Sequence, residues 1–475
     1  MPRSVALAAA GLAAACAGTA QPPPTPAPAA APAARADTGR PPEPTSADRA
    51  QYPSTYRRRE APAVLIRGAT ILTGAGPEIR EGSVLIRDGV IVAVGTDVPT
   101  DASAQVIDGR GKFVTPGLID THSHLGVYAA PGTQAESDGN EATSPVTAEV
   151  WAEHSIWPQD PQIPLAIAGG VTVAQVLPGS ANLIGGRSAT IRLVPARTVQ
   201  EMKYPGAPYG LKMACGENPK RVYQSRGPST RMGNMAGYRA AFIEAERYRR
   251  QWDAWKKDRK GEPPARNLRQ ESLAEVLRGS ILVHMHCYRA DEMAQALDLA
   301  REFGFRIRSF HHVVEGYKIA DLLARDSVAG SVWADWWGFK MESYDGIPQN
   351  AALIEQAGGI AIIHSDSPDG IQRLNQEAAK AMYAGIHAGI PITREQAIRW
   401  ITYNPAWALG LERETGSLEP GKKADVVLWS GDPFSNYSKA EKVFNEGWLV
   451  FDRADPARQP RTDFNLGQTA PGVGR

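Results

Sequence analysis

The sequence PGLIDTHSHLGV, residues 116–127, is an apolar run that ends in two histidines one residue apart. In a β-strand, residues i and i+2 project from the same face, so His122 and His124 point the same way at the end of a predicted buried strand. Parallel barrels build their active sites at the carboxyl ends of their strands. Paired imidazoles there suit a divalent metal such as zinc, although structural histidines explain this motif alone about equally well.

Three later apolar runs also end in side chains that bind metals. His286 ends VHMH, His312 ends IRSFHH and Asp366 ends IAIIHSD. Core packing does not explain four strand ends of this kind, so we expect one metal centre. His284 and His286 share a face of their strand, whereas His311 and His312 lie on opposite faces, so we expect only one of the second pair to point inward.

The middle of the chain, residues 115–411, alternates apolar runs with helical stretches, as in SILVHMHC followed by RADEMAQALDLAREFG. Repeated βα units predict a parallel sheet, and the length of the region favours an α/β fold of the (β/α)8 TIM-barrel type over an open sheet. A charged, aromatic-rich segment near residues 222–278 predicts a helical insertion. It is either a lid that places Trp252 and Trp255 over the barrel mouth or a solvated helical hairpin.

Short strands broken by Gly and Asp-Gly turns occupy the two flanks of this region, residues 61–114 and 412–456. Turns of this kind are typical of antiparallel hairpins. Because both flanks have the same pattern, we expect them to form one small β-sandwich domain beside the barrel.

The amino-acid composition limits the classes of molecule that the protein is expected to bind. The chain has 475 residues, with 52 Lys and Arg against 51 Asp and Glu. This balance argues against a nucleic-acid or anionic-membrane footprint and favours a small-molecule substrate. The three cysteines do not make a disulfide framework. A homo-oligomer is compatible with the sequence.

The N-terminus is typical of an export signal. MPRSVALAAAGLAAAC has a basic residue and then a short apolar stretch, which predicts a signal peptide within residues 1–20. LAAAC resembles a bacterial lipoprotein box with Cys16 as the lipidated residue, and ordinary cleavage near Ala15, Ala17 or Ala20 is the alternative. Residues 21–60 are rich in Pro and Ala and predict a disordered linker. We expect an exported protein, either periplasmic or a lipoprotein anchored in the outer membrane.

These motifs together resemble the metal-dependent amidohydrolase superfamily, in particular its imidazolonepropionase-like members. PGLIDTHSH, the later strand-end histidines, the final Asp and NPAWALGLERETGSLEPGKKADVVLW match in order and span residues 63–453. The resemblance implies a barrel with one or two divalent ions, zinc being the expected metal, and a β-sandwich. The metal ligands that it implies are His122, His124, His286, His312 and Asp366.

The resemblance leaves the bridging ligand open, because family members use either a carboxylated lysine or a glutamate. GLKMACGEN offers both, Lys212 within a strand and Glu217 at its end. We favour Glu217, since a glutamate needs no carbon dioxide and suits a strand end, and we keep Lys212 as the alternative.

The implied reaction is hydrolysis of an amide or cyclic amide C–N bond by metal-activated water, with Asp366 as the proton shuttle. Residues in the predicted mouth loops are candidates for substrate contact, or else for salt bridges and packing that order those loops: Tyr288, Arg289, Asn182 and Arg187. Two alternatives remain, a non-catalytic extracytoplasmic binding lipoprotein and a lactone or ester hydrolase that uses the same site.

Overall fold

The computed structural model of the protein describes residues 52–99 and 101–460. The predicted signal peptide and most of the predicted linker therefore lie outside the described residues. The strands of the described chain are β1 (Val64–Ile71), β2 (Ile79–Arg87), β3 (Val90–Gly95), β4 (Gln105–Asp108), β5 (Phe113–Pro116), β6 (Leu118–Ser123), β7 (Val171–Val176), β8 (Ile184–Arg192), β9 (Gly210–Ala214), β10 (Leu282–Cys287), β11 (Ile307–His312), β12 (Ala329–Val332), β13 (Ile360–Ile363), β14 (Val426–Trp429), β15 (Ala440–Asn445) and β16 (Trp448–Asp452).

One eight-stranded sheet joins the two flanks of the chain. Its order is β16-β15-β14-β5-β1-β2-β3, with β4 pairing β1. The junction lies between β14 and β5, which run antiparallel with Val427 opposite Thr115. Val64 and Ile66 of β1 lie on one face of the sheet and are buried with Val84 and Ile86 of β2, because residues i and i+2 of a strand share a face.

A second eight-stranded sheet forms the barrel, in the order β13-β12-β11-β10-β9-β8-β7-β6. Neighbouring strands are parallel except around β8, which runs antiparallel to both β7 and β9. Residues 177–183 join β7 to β8, and this connection is too short for the helical crossover that a parallel pair needs. The predicted α/β barrel with a separate β domain is confirmed, and β8 is its departure from a regular (β/α)8 pattern.

The α-helices of the described chain pack around the barrel. They are α1 (Gln162–Ala168), α2 (Val199–Met202), α3 (Glu217–Tyr223), α4 (Arg231–Asp258), α5 (Leu268–Arg278), α6 (Ala290–Phe303), α7 (Ala320–Arg325), α8 (Asn350–Gln356), α9 (Leu374–His387), α10 (Arg394–Arg399) and α11 (Tyr403–Ala408). Over residues 52–99 and 101–460, no helix combines the length and the apolar character needed to cross a membrane.

The segment predicted as a helical insertion contains α4 and α5, and α4 packs on the barrel through buried Tyr238 and Phe242. Arg231, the first residue of α4, binds Glu292 at 2.8 Å beside the carboxyl ends of β9 and β10. Trp252 and Trp255 lie more than twenty residues further along α4, about 30 Å away at 1.5 Å per residue. These two indoles therefore do not cover the barrel mouth.

A disulfide links Cys215 and Cys287, which are 72 positions apart, with their Cα atoms separated by 5.2 Å. Cys215 directly follows β9 and Cys287 ends β10, and the Cys215 amide donates to the His286 carbonyl at 2.9 Å. This bond is not predicted from the sequence. It depends on two strands becoming neighbours in the sheet, which cysteine spacing does not reveal.

Candidate metal centre

Seven of the nine histidines form one connected cluster of rings at the carboxyl ends of the barrel strands. They are His122, His124, His284, His286, His311, His312 and His364. His122 is central, because its ring lies within 5.1 Å of the rings of four other members.

His122, His124 and Asp366 form the first group with ligand atoms close enough for one ion. The Nε2 atoms of His122 and His124 lie 3.4 and 3.1 Å from Asp366 Oδ1. The other nitrogen of His124, Nδ1, lies 2.9 Å from the Leu177 carbonyl oxygen, which holds the ring with Nε2 directed at the carboxylate. The structure thus brings together three of the residues predicted as ligands.

His122, His312 and His364 form the second such group, and all three are buried. His364 Nε2 accepts a hydrogen bond from the His312 amide at 3.3 Å. The predicted ligand His286 is outside this group of three, but its ring centre lies 4.4 Å from that of His312. His364 was not among the predicted ligands, although it lies two positions before Asp366, the same spacing that identified His122 and His124.

His311 and His312 are both buried in the cluster, contrary to the expectation that only one would point inward. The strand alternation fails at its last residue, because His312 has φ of +75° and Val313 has φ of +45°. Asp366 has φ of +50°. Left-handed backbone at non-glycine residues is uncommon and concentrates at functional sites.

His311 connects two other members of the cluster. Its Nδ1 lies 3.0 Å from His122 Nδ1, and its Nε2 lies 3.0 Å from His284 Nδ1. The three imidazoles therefore form a hydrogen-bonded chain that begins at a predicted metal ligand and runs through the barrel interior.

Asp120, buried in β6, joins the first and last strands of the barrel. Its Oδ1 accepts from the amides of His122 (3.0 Å) and Ser365 (3.2 Å), and its Oδ2 accepts from the Ser365 hydroxyl. The Asp366 amide donates to the His122 carbonyl at 2.9 Å. Burial raises the pKa of Asp120 to about 7 despite these donors. These bonds fix the relative positions of His122 and Asp366.

The two candidates for the bridging ligand lie in different surroundings. Lys212 is buried in β9, with its Nζ 3.2 Å from His122 Nε2, and burial lowers its pKa to about 8. Glu217 belongs to neither group of ligand atoms; its side chain is partly exposed and lies 3.5 Å from Lys340 Nζ. The structure therefore brings Lys212, and not the favoured Glu217, to the histidine cluster.

The donor set fits a divalent metal ion. Four buried ring nitrogens in the cluster have no hydrogen-bond partner among the described residues, namely His284 Nε2, His286 Nε2, His312 Nδ1 and His364 Nδ1. Burial lowers the pKa of His122, His286 and His312 well below the usual value, and that of His364 to about 3. The rings are therefore neutral at pH 7, the form in which imidazole binds metals.

The four residues predicted to contact substrate differ in burial and in the groups that they contact. Tyr288 is buried against the cluster, its ring stacked on His312 with centres 5.1 Å apart. Arg289 is partly exposed and pairs with Asp291 at 2.9 Å.

The other two of these four residues are buried in contacts that order the fold. Arg187 donates to the Ser272 hydroxyl at 2.9 Å, and its guanidinium lies 4.3 Å from the centre of the Trp151 ring. The Asn182 amide nitrogen lies within 3.0 Å of four oxygens, among them the Glu141 and Ser144 carbonyls. Of the four predicted residues, Tyr288 is the one that the structure brings to the histidine cluster.

A barrel with histidines and a carboxylate at the carboxyl ends of its strands defines the class of metal-dependent hydrolases. Comparison with known proteins agrees, since the model of the amidohydrolase family matches residues 320–446. The crystal structure of an amidohydrolase from Thermotoga maritima MSB8 is 37% identical, with a TM-score of 0.76, and the match covers 82% of this chain and 100% of that one. The chain belongs to the amidohydrolase family.

Two curated relatives are also similar. Amidohydrolase tasK of Hapsidospora irregularis is 34% identical over 400 residues, which is 78% of this chain but 40% of that protein. This chain thus spans well under half the length of that relative. Imidazolonepropionase of Geobacillus thermodenitrificans is 26% identical over 402 residues, covering 74% of this chain and 84% of the relative.

Proposed function

We propose that this protein hydrolyses a C–N bond in a small amide or cyclic amide. The observation that carries the proposal is the convergence of His122, His124 and Asp366, whose ligand atoms all lie within 4.8 Å of one another. Membership of the amidohydrolase family supports the same reaction class.

The residues that would hold the metal are the two groups of the histidine cluster together with Lys212 and His286. A divalent ion such as zinc supplies activated water at neutral pH and polarises a substrate carbonyl. The protein's own contribution is to keep the imidazoles neutral and fixed. Burial favours the neutral rings, and the Leu177 carbonyl orients His124.

Asp366 is the proposed proton shuttle. Its carboxylate is within 3.1–3.4 Å of both histidines of the first pair, at the carboxyl-end mouth of the barrel. Burial acts to raise the pKa of Asp366, but the hydrogen bond with His124 and nearby positive charge, including that of Lys212, outweigh it, so the net pKa is lowered. The carboxylate therefore starts the cycle ionised, accepts the proton released when water attacks the carbonyl, and passes it to the leaving nitrogen.

Lys212 is the proposed bridging ligand, as a carbamate. Its Nζ lies inside the cluster, 3.2 Å from His122 Nε2. Reaction of the neutral amine with carbon dioxide forms an N–C bond and releases one proton, and this gives an anionic group that two ions can share. Intact-protein and peptide mass spectra test this by the added mass of carbon dioxide on Lys212. An unmodified Lys212 in active enzyme overturns it.

Export to the periplasm, with Cys16 as a lipid anchor, is proposed from the N-terminal sequence. The Cys215–Cys287 disulfide supports an oxidising compartment, because such bonds are rare in cytosolic proteins. Fractionation of cells that produce the wild type and Cys16→Ala tests both parts. Loss of membrane association in the variant supports the anchor, and a wild type found in the cytosol contradicts export.

A substrate screen tests the proposed reaction. Purified protein is incubated with N-acyl amino acids, dipeptides and hydantoins, with and without a chelator. We expect C–N bond hydrolysis that the chelator removes and added metal restores. A protein that binds these compounds without turnover, or that cleaves only esters or lactones, contradicts the proposal.

A further inference from the structure

A ladder of stacked rings leads from the metal centre to the barrel surface. The Tyr288 ring stacks on His312 with ring centres 5.1 Å apart, and His312 stacks on Trp333 with centres 4.3 Å apart. Trp333 in turn stacks on Trp336, with ring centres 5.0 Å apart and an angle of 13° between the ring planes. Exposure rises along the ladder, from 3% at Tyr288 and 6% at Trp333 to 37% at Trp336. The proposed mechanism uses none of the three non-histidine rings.

The outer part of this ladder forms one wall of a cavity of about 360 Å³, and the rest of the lining is mostly polar, with His364 and the charged side chains of Arg373, Glu377 and Lys380. Because His364 is also part of the second ligand group, the cavity adjoins the metal centre. Its volume is within the range of sites that bind small molecules. An indole face beside such a cavity offers a flat apolar surface for a planar ligand group.

The segment that carries the two tryptophans is anchored to α9. The Ala334 amide donates to Glu377 Oε1 at 2.7 Å, and Lys380 Nζ lies 2.7 Å from Asp335 and 2.9 Å from Glu377. These bonds anchor the segment between Trp333 and Trp336, and the Trp336 indole itself is stacked on Trp333. Because folding leaves Trp336 partly exposed, its ring is accessible to a ligand.

We propose that this cavity is a subsite for an aromatic or other planar apolar group of the substrate, which stacks on Trp336 while the scissile bond lies at the histidine cluster. The inference rests on the proposed function for its reaction, because it names the class of amide that the site prefers. The predicted binding of aromatic groups at this cavity can be tested even if the protein hydrolyses no amide.

Kinetics with matched substrates test the preference. N-Acetylphenylalanine is compared with N-acetylalanine, and N-benzoylglycine with N-acetylglycine, so that the ring lies on either side of the amide. We expect Trp336→Ala to raise KM about tenfold for the preferred aromatic substrate, as loss of a stacking contact would, and to leave the aliphatic partner nearly unchanged. Trp255→Ala, at the distal end of α4, is the control and should change neither. Equal effects on both members of a pair overturn the inference.

Calorimetric binding of N-benzoylglycine and N-acetylglycine separates this inference from the proposed function. If no amide is hydrolysed but wild type binds the benzoyl compound more tightly and Trp336→Ala loses that preference, the subsite stands and the reaction fails. If amides are hydrolysed and the variant binds both compounds as wild type does, the subsite fails and the reaction stands.

Discussion

The Nδ1 atoms of His122 and His311 lie 3.0 Å apart. When His122 Nε2 serves as a metal ligand, Nδ1 carries the proton and donates to His311 Nδ1. His311 then carries its own proton on Nε2 and donates to His284 Nδ1, 3.0 Å away. Ligand histidines are usually oriented by a carboxylate, a carbonyl or water, and here a neutral imidazole takes that place.

His311 is therefore a positioning residue, and its loss should weaken metal binding. We expect His311→Phe, which fills the space without hydrogen bonds, to raise the metal dissociation constant about 10- to 100-fold. His311→Gln keeps one acceptor and one donor and should restore most of the affinity. Competition with a chelating dye measures both constants, and circular dichroism verifies folding. Equal affinity in wild type and His311→Phe contradicts this role.

Asp366→Asn tests the proton shuttle. The amide keeps the shape of the carboxylate but cannot accept the proton, so we expect kcat to fall about 100- to 10,000-fold. Metal analysis of the same sample shows whether activity falls because proton transfer is lost or because the metal ion is lost. We expect metal to be retained, because His122 and His124 remain. A variant that retains metal and turns over at the wild-type rate disproves the assignment.

The disulfide should stabilise the two strands that carry Lys212 and His286. Chain-entropy arguments for a closed loop of 72 residues give about 4 kcal/mol for the free energy of unfolding. We expect the double variant Cys215→Ser, Cys287→Ser to unfold at lower urea concentration and to bind metal more weakly. Dithiothreitol should shift the midpoint of the wild type and leave the double variant unchanged. A shift in both proteins would mean that reductant acts elsewhere.

Glu355 gives a pH dependence of stability that is independent of the metal centre. Its carboxylate accepts from Trp400 Nε1 at 3.1 Å, and burial raises its pKa. The folded state therefore binds this proton more tightly than the unfolded state, and the stability it contributes is lost as pH rises from about 4.3 through the folded pKa.

Glu355→Gln removes this titration and keeps an acceptor for Trp400. We expect its free energy of unfolding, relative to wild type, to increase as the pH rises from about 4.3 through the folded-state pKa of Glu355. Glu262→Gln, at an exposed turn, is the matched control and should show little change. Urea unfolding at several pH values measures both differences, and a pH-independent difference for Glu355→Gln refutes the expectation.

The fold and part of the candidate metal centre could be predicted from the sequence. Repeated βα units and length predicted the barrel, and matching hairpin patterns predicted the joining of the two flanks. Strand-end positions predicted that Asp366 meets His122 and His124, and the i, i+2 rule placed those two histidines on one face. The same rule applied to the strand of Asp366 would have found His364. It failed at His311 and His312, because the backbone turns left-handed at His312 and both rings can face inward.

Other features depend on contacts that no local pattern encodes. The disulfide requires β9 and β10 to be neighbours, and the choice between Lys212 and Glu217 depends on which side chain reaches His122 through the barrel interior. Arg187 and Asn182 lie in loop-like sequence, yet both are buried by long-range contacts with Ser272 and Tyr223. Local sequence cannot distinguish such residues from substrate ligands.

Metal content measured by inductively coupled plasma mass spectrometry, on wild type and on His122→Ala, is the decisive check of the claim that the histidine cluster holds a catalytic metal ion. We expect about one or two equivalents of a divalent ion per chain in wild type, a marked loss in the variant, and hydrolysis that follows the bound metal. A wild-type protein that hydrolyses amides at full rate with no bound metal, or a His122→Ala variant with undiminished metal content, would contradict the claim.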